Sequence, residues 1–239
     1  MSALQETPLI QLQQVSRTFP GPDPVHALRA VSLSVARGEV LGIVGRSGSG
    51  KSTLLNVIGL LDRITAGTYT IDSQSVNTLS DHQATRLRAS FFGFVFQQSF
   101  LLASLTAQEN VELALRPHGA PRKDRRAIAV AALKAVGLGH RLQAMPATMS
   151  GGEHQRAAIA RAVAQHPQVI LCDEPTGNLD ERTSAEIVAM LLDLANRGTA
   201  VVIVTHDLTL ARQLPRVLTV RDGTISAGLD SGLLAGRDD

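Results

Sequence analysis

The sequence predicts an α/β fold: a small antiparallel sheet beside a core of buried parallel strands. Three observations predict it. The first is Gly45-Arg-Ser-Gly-Ser-Gly-Lys-Ser-Thr53, which fits G-x-x-x-x-G-K-[ST] and stands between a strand-like apolar run at 39–44 and a helix-like one at 54–61. The second is a pair of short apolar runs, 169–173 and 200–205, separated by a helical stretch at 184–195. Runs of that length bounded by polar residues read as fully buried parallel strands joined by a crossover helix. The third is two β-like stretches, 9–15 and 27–35, that lead directly into the glycine loop and read as the antiparallel sheet.

The loop defines a chemistry. Gly48 and Gly50 permit dihedrals and close approaches that a side chain would block. The loop N–H groups and the N-terminus of the following helix then converge on an anion. Lys51 is placed to reach the β- and γ-phosphates, and the Ser52 hydroxyl to ligate Mg²⁺. We assign Gly45, Arg46, Ser47, Gly48, Ser49, Gly50, Lys51, Ser52 and Thr53 to binding of a nucleoside triphosphate.

The bulk properties suit a soluble α/β chain of 239 residues, with 44% hydrophobic and 18% charged side chains. A formal charge of +2 is too small to argue for nucleic acid. The one basic cluster, Arg122-Lys-Asp-Arg-Arg126, reads as a solvated helix start. The single cysteine, Cys172, excludes an internal disulfide and suits a reducing compartment. Residues 1–8 lack an apolar core and are not expected to be a signal peptide. No apolar run approaches the roughly 18 residues of a membrane span, so another chain is expected to supply any spans.

Between the anchoring motifs, 65–72 reads as a turn and strand, 79–89 as a short helix, and 91–96 as a strand holding four of the six phenylalanines. The pattern from 106 to 137 is helical with a break at 117–121, and its alanine-rich part, 127–136, has high helix propensity. Residues 153–165 form another helix, ended by Pro167. Residues 217–225 read as a hairpin around Asp222-Gly223. The tail, 227–239, is expected to be peripheral.

The run Val-Ile-Leu-Cys-Asp173-Glu174 places Asp173 at the carboxyl end of a buried strand, where open α/β sheets bind ligands. Asp173 there can hold Mg²⁺ through water. Glu174 faces elsewhere and is free to orient or deprotonate an attacking water. Met149-Ser-Gly-Gly-Glu-His-Gln-Arg156 supplies a second anion site. Its elements are the hydroxyl of Ser150, the unencumbered amides of Gly151 and Gly152, and a helix N-terminus.

That last motif resembles the LSGGQ signature of ATP-binding-cassette (ABC) ATPases, with Met149 for the leucine and Glu153 for the glutamine. The resemblance covers about residues 8–226. It implies a P-loop NTPase (RecA-like) core with an N-terminal antiparallel β subdomain, together residues 8–96 and 166–226, and an inserted α-helical subdomain, 97–165, carrying the signature, all within one nucleotide-binding domain, 1–239. It further implies that Gln97 contacts Mg²⁺ and the attacking water, that Asn178-Leu-Asp180 is the loop crossing a dimer interface, and that His206 hydrogen-bonds the γ-phosphate. Phe19 sits where the family places an aromatic on adenine. In such ATPases two copies sandwich two ATPs. Each composite site takes Lys51, Ser52, Gln97, Asp173, Glu174 and His206 from one chain and Ser150, Gly151 and Gly152 from the other. The remaining histidines lack ligand spacing, so no metal beyond Mg²⁺ is expected.

Residues 59–67, 92–102 with 106–113, and 174–180 look like the MacB/LolD branch, whose members export macrolides or peptides or release lipoproteins. That resemblance implies a partner, an integral membrane permease of the MacB/FtsX type on a separate chain, and a peripheral position on the cytoplasmic face of the membrane. A cell-division ATPase of the FtsE type shares the Gly-Asn-Leu-Asp segment and stays an alternative. A soluble ABC ATPase acting on DNA or ribosomes is disfavoured, because the chain has one cassette, no heptad run and a weak basic patch. No Asn-Lys-x-Asp motif supports a GTPase. The stretch Phe100-Leu-Leu-Ala-Ser-Leu105 is either core or a groove for a cytoplasmic helix of the permease, since sequence does not separate exposed from buried apolar residues.

Overall fold

Two long antiparallel strands begin the chain, β1 (Ile10–Phe19) and β2 (Val25–Val35). They pair with Ile10 opposite Val35 and Leu12 opposite Leu33, and the register shifts before Val15 meets Val31. The shift has a visible cause: Gln14 and Ala30 both adopt positive φ, 50° each. An extra residue on a strand reverses the side-chain alternation beyond it, which is how Val15 joins Ile10 and Leu12 in the core. The strand expected to end at residue 15 therefore continues to Phe19. The computed structural model describes residues 7–118 and 121–230; the ends of the proposed tail and of the unassigned N-terminus, and part of the break at 117–121, lie outside them.

The chain divides into two compact units, one comprising residues up to Arg88 with those from Val202 onward, the other Ala89–Val201. In the first unit β3 (Val40–Val44) is buried at every position and runs into the glycine loop. Helix α1 (Lys51–Ile58) follows and buries Leu54, Leu55, Val57 and Ile58. It ends at Ile58, three residues short of the expected apolar face, and Leu61 is left 48% exposed. Strand β4 (Ala66–Ile71) pairs with β1, and the short β5 (Gln74–Ser75) completes a sheet of order β2-β1-β4-β5. Tyr69 on β4 is buried and donates its hydroxyl to Ile58 O at 2.5 Å, tying this sheet to the end of α1. Burial without a charged partner pushes the Tyr69 phenol well up. Helix α2 (Asp81–Phe91) buries none of its residues.

The second unit begins with β6 (Phe92–Phe96), followed by α3 (Ala107–Ala114), α4 (Arg122–Ala135) and α5 (Gly151–Val163). Thr106 caps α3 in a reciprocal box with Glu109, which explains where that helix starts. Strand β7 (Val169–Asp173) pairs in parallel with β6, Phe96 standing opposite Asp173. Helix α6 (Glu181–Asn196) is the crossover and buries Ile187, Val188, Leu191 and Ala195. Strand β8 (Ala200–Val204), wholly buried, starts in this unit and ends in the first.

Back in the first unit, Thr205 N–H donates to Ile43 O, a one-turn helix α7 (Leu208–Ala211) follows, and β9 (Arg216–Arg221) pairs in parallel with β3. Strand β10 (Thr224–Ala227) folds back on β9 with Thr224 opposite Arg221. The hairpin expected at Asp222-Gly223 is a two-residue turn with φ of 48° and 78°, the positive pair that suits right-handed strand twist.

Candidate functional site

In the first unit the loop between β3 and α1 has the geometry of an anion cradle. Gly50 stands at the N-cap of α1 with φ 109° and no side-chain cap, so the first N–H groups of the helix keep no side-chain acceptor. A Cβ on Gly50 would stand 2.5 Å from Ala27 O, so only glycine lets the loop pass β2 this closely. Lys51 Nζ donates to Gly45 O at 2.8 Å and Arg46 O at 2.9 Å, which holds the ammonium across the loop. Arg46, Ser47, Gly48 and Ser52 are exposed, Thr53 is half-buried, and Ser49 is buried. Ser49 O accepts from Gly223 N–H at 3.0 Å, and Gly223 O from Arg29 N–H at 2.8 Å. The β9–β10 turn thus braces the loop against β2, a support that the sequence did not reveal.

Two further predicted residues lie in this unit. Phe19 is exposed, not core, and Arg17 lies 4.2 Å over its ring while pairing with Asp62 at 2.8 Å. His206 is exposed in a short turn after β8. Asp207 fixes that turn: its N–H donates to Thr205 Oγ1, and its carboxylate accepts from Thr209 and Leu210 N–H at the start of α7.

In the second unit Asp173 ends β7 half-buried, and Glu174 follows with φ 49°. A left-handed backbone at a glutamate is uncommon and breaks the extended conformation of the strand there. The loops after β6 and β7 meet: Gln97 Nε2 donates to Asn178 Oδ1 at 3.2 Å. Asp180 caps α6, accepting from Thr183 N–H at 2.9 Å and from its hydroxyl at 2.7 Å. These bonds hold its carboxyl below the usual carboxylate range.

The start of α5 is the second anion site expected from the sequence. Ser150 is its N-cap: Oγ accepts from Glu153 N–H at 3.2 Å, and the Glu153 carboxylate accepts from Ser150 N–H at 2.8 Å. Ser150 and Gly151 are exposed. A carboxylate beside an anion site would repel the anion, and here its charge is engaged. Glu153 lies 3.1 Å from Arg141, whose guanidinium also donates to Thr148 O. The Ser150 N–H chiefly, with Arg141 and Arg156 adding, holds the Glu153 carboxyl below its usual value. Spacing of serine and glutamate by three was the legible signal for this box; Arg141 had none.

The stretch 100–105 divides. Phe100 is 61% and Leu102 48% exposed, while Leu101 and Leu105 are half-buried. The loop is built rather than loose. Buried Asn110 accepts from Leu102 N–H at 2.7 Å and donates to Leu102, Leu105 and Thr106 carbonyls, and Arg161 donates to Ser99 and Phe100 carbonyls.

A buried strand entering a glycine-rich anion loop, with a second serine-capped helix start in the same chain, defines a nucleotide-binding P-loop protein of mixed α/β fold. The family pattern described as ABC transporter matches residues 28–177. The chain is 46% identical over 220 residues to the macrolide export ATP-binding/permease protein MacB of Escherichia coli (strain K12), covering 92% of this chain and 34% of that protein. It therefore spans about a third of the length of the curated relatives it matches. Among solved structures it is similar to the ATP-binding cassette MJ0796, dimeric and bound to ADP and Pi (TM-score 0.83, 42% identity, 91% of this chain and 96% of that one). It is also similar to cbiO1 from Clostridium perfringens, part of the ABC transporter complex cbiONQ (TM-score 0.84, 26% identity, 97% and 92%). The chain belongs to the ABC transporter family and is an ATPase domain of it.

Proposed function

We propose that this chain hydrolyses ATP as a pair of copies and so drives an integral membrane permease of the MacB/FtsX type from the cytoplasmic face of the membrane. The observation that carries the reading is the exposed start of α5. Ser150 and Gly151 there are exposed, and the acid beside them is paired with Arg141. A second copy's nucleotide is the partner that fits, and the dimeric form of the ADP- and Pi-bound MJ0796 cassette supports this.

Within that reading the roles are carried over from the family. Lys51, the loop amides and Thr53 bind phosphates. Ser52, Asp173 and Gln97 hold Mg²⁺, which when bound neutralises phosphate charge. The donor set fits that ion: hydroxyl, carboxylate and amide oxygens are hard ligands, and no cluster of three or more histidine, cysteine or acidic residues occurs among the described residues to form an all-protein cage. Glu174 takes a proton from the attacking water, His206 donates to the γ-phosphate, and Phe19 offers one face to adenine. Ser150, Gly151, Gly152 and Asp180 act on the other copy's nucleotide. The functional division at 97–165 is the signature-bearing subdomain.

The permease is proposed to dock on Phe100 and Leu102. No helix among the described residues is long and apolar enough to cross a membrane. Co-expression with a candidate permease, followed by capture of the complex and assay of ATP turnover, tests the whole reading. Turnover by a strictly monomeric chain at wild-type rate would overturn the paired mechanism.

A further inference from the structure

Helix α4 carries a face that none of these roles uses. Lys123, Arg126, Ala127, Val130, Ala131 and Lys134 recur three and four residues apart, so they form one stripe, and they line a shallow open groove of about 490 Å³. The opposite side of the helix buries Ala129, Ala132 and Leu133, which sets the stripe facing outward. Along its length α4 bears Arg122, Lys123, Arg125, Arg126 and Lys134 against a single acid, Asp124.

Several basic side chains elsewhere in this unit have acidic partners: Arg141 pairs with Glu153, Arg156 and Arg182 with Glu186, and Arg197 with Asp193. Lys123, Arg126 and Lys134 make no ion pair among the described residues. Cations crowded without counter-charges repel one another unless an anion outside the chain answers them.

The stripe also limits the kind of anion. Between its cations lie only alanines and one valine, with no aromatic or leucine to anchor a partner protein in a pocket. Its attraction is therefore electrostatic. The cations spread over about 16 Å of helix instead of converging on a point. An extended sheet of negative charge matches that spread better than one carboxylate or one phosphate does.

We propose that the Lys123–Arg126–Lys134 face of α4 rests on anionic lipid headgroups at the membrane surface. Each such residue near an anionic leaflet adds to the attraction, which decays within a Debye length. The proposal shares with the preceding section only the premise that the ATPase works beside a bilayer, and it needs no permease to be tested.

The test is flotation of the purified full chain with vesicles of phosphatidylcholine alone, or of phosphatidylcholine mixed with phosphatidylglycerol, at low and physiological salt. The chain should float with the anionic vesicles and not the neutral ones, and should detach as salt rises. The triple variant Lys123→Glu, Arg126→Glu, Lys134→Glu should lose at least about tenfold in partitioning, with circular dichroism and ATP binding unchanged. Arg126→Lys should partition as the wild type does. Equal partitioning of the triple variant, equal binding to neutral vesicles, or tighter binding to duplex DNA in the same salt would each overturn the proposal. So would loss, in the triple variant, of a protein complex from an otherwise vesicle-indifferent wild type. Because no permease is present, a negative result here leaves the paired ATPase mechanism to stand or fall on its own assay.

Discussion

Glu153 and Arg141 lie 3.1 Å apart, and the same glutamate accepts the N–H of Ser150. The helix start can therefore carry an acid whose charge is answered within the chain, which the proposed role of α5 as a phosphate site requires. Arg141→Met should leave nucleotide binding by the P-loop intact and lower turnover about tenfold, the effect of ~1.4 kcal/mol of added repulsion in the transition state. Steady-state phosphate release beside an ATP titration checks it. Parallel loss of ATP affinity would mean that Arg141 serves the fold instead.

The same carboxylate makes a pH prediction. Glu153, Glu109 and Asp180 all sit below their ordinary values, each chiefly because a backbone N–H donates to the carboxylate. A depressed folded value contributes stability that is present above the unfolded value and lost as pH falls through the folded one. Thermal unfolding should therefore be flat near neutrality and weaken below about pH 4. Glu153→Gln, which keeps the cap's shape, should shallow that acid limb.

Glu174→Gln should bind ATP as tightly as the wild type and hydrolyse it slower by about two to four orders of magnitude, the scale of general base catalysis. The left-handed backbone at this residue survives the change, since glutamine costs there what glutamate does. Near-wild-type turnover would remove Glu174 from the role assigned to it.

How far the sequence reached is clearest at β7 and β1. Four apolar residues ending in Asp173 specified a buried strand to the residue, because a fully buried strand needs no phase. Strand β1 needed a phase, and positive φ at Gln14 and Ala30 reset it. Neither residue type advertises a bulge. The glycine loop, the Asp222-Gly223 turn and the serine cap of α5 were legible for one reason: each depends on neighbours a few residues away. Asn110, Arg141 and the Gly223 brace were not, because their partners are set by tertiary contact. Arg216 pairs with Glu39 across 177 residues. Leu61 misled by composition, since Gly59 ends α1 before the apolar run is spent.

Leu102 and Asn110 separate docking from folding. Leu102 is half in solvent, so Leu102→Asp should leave thermal stability nearly unchanged, within about 0.5 kcal/mol, while abolishing capture of the proposed permease. Asn110 is 1% exposed and holds the loop by four hydrogen bonds. Asn110→Ala strands Leu102 N–H and several carbonyls and should cost about 2 kcal/mol or more. A large stability loss from Leu102→Asp would return that residue to the core.

Gly223 tests whether the hairpin supports the phosphate loop. Its N–H bonds Ser49 O, its carbonyl bonds Arg29 N–H, and its φ is 78°. A Cβ there would stand 2.9 Å from Ala27 O, so Gly223→Val must shift either the turn or β2. A β-branched residue at that φ costs on the order of 1–2 kcal/mol. Part of that strain should reach Ser49 and weaken ATP binding about tenfold, although Gly223 touches no atom proposed to contact nucleotide. Asp222→Gly, which relieves positive φ beside it without adding atoms, is the control and should bind ATP as the wild type does. Nucleotide titration of both variants, with unfolding measured alongside, distinguishes the outcomes. If Gly223→Val is destabilised yet binds ATP normally, the brace holds the hairpin alone, and the loop keeps its shape without it.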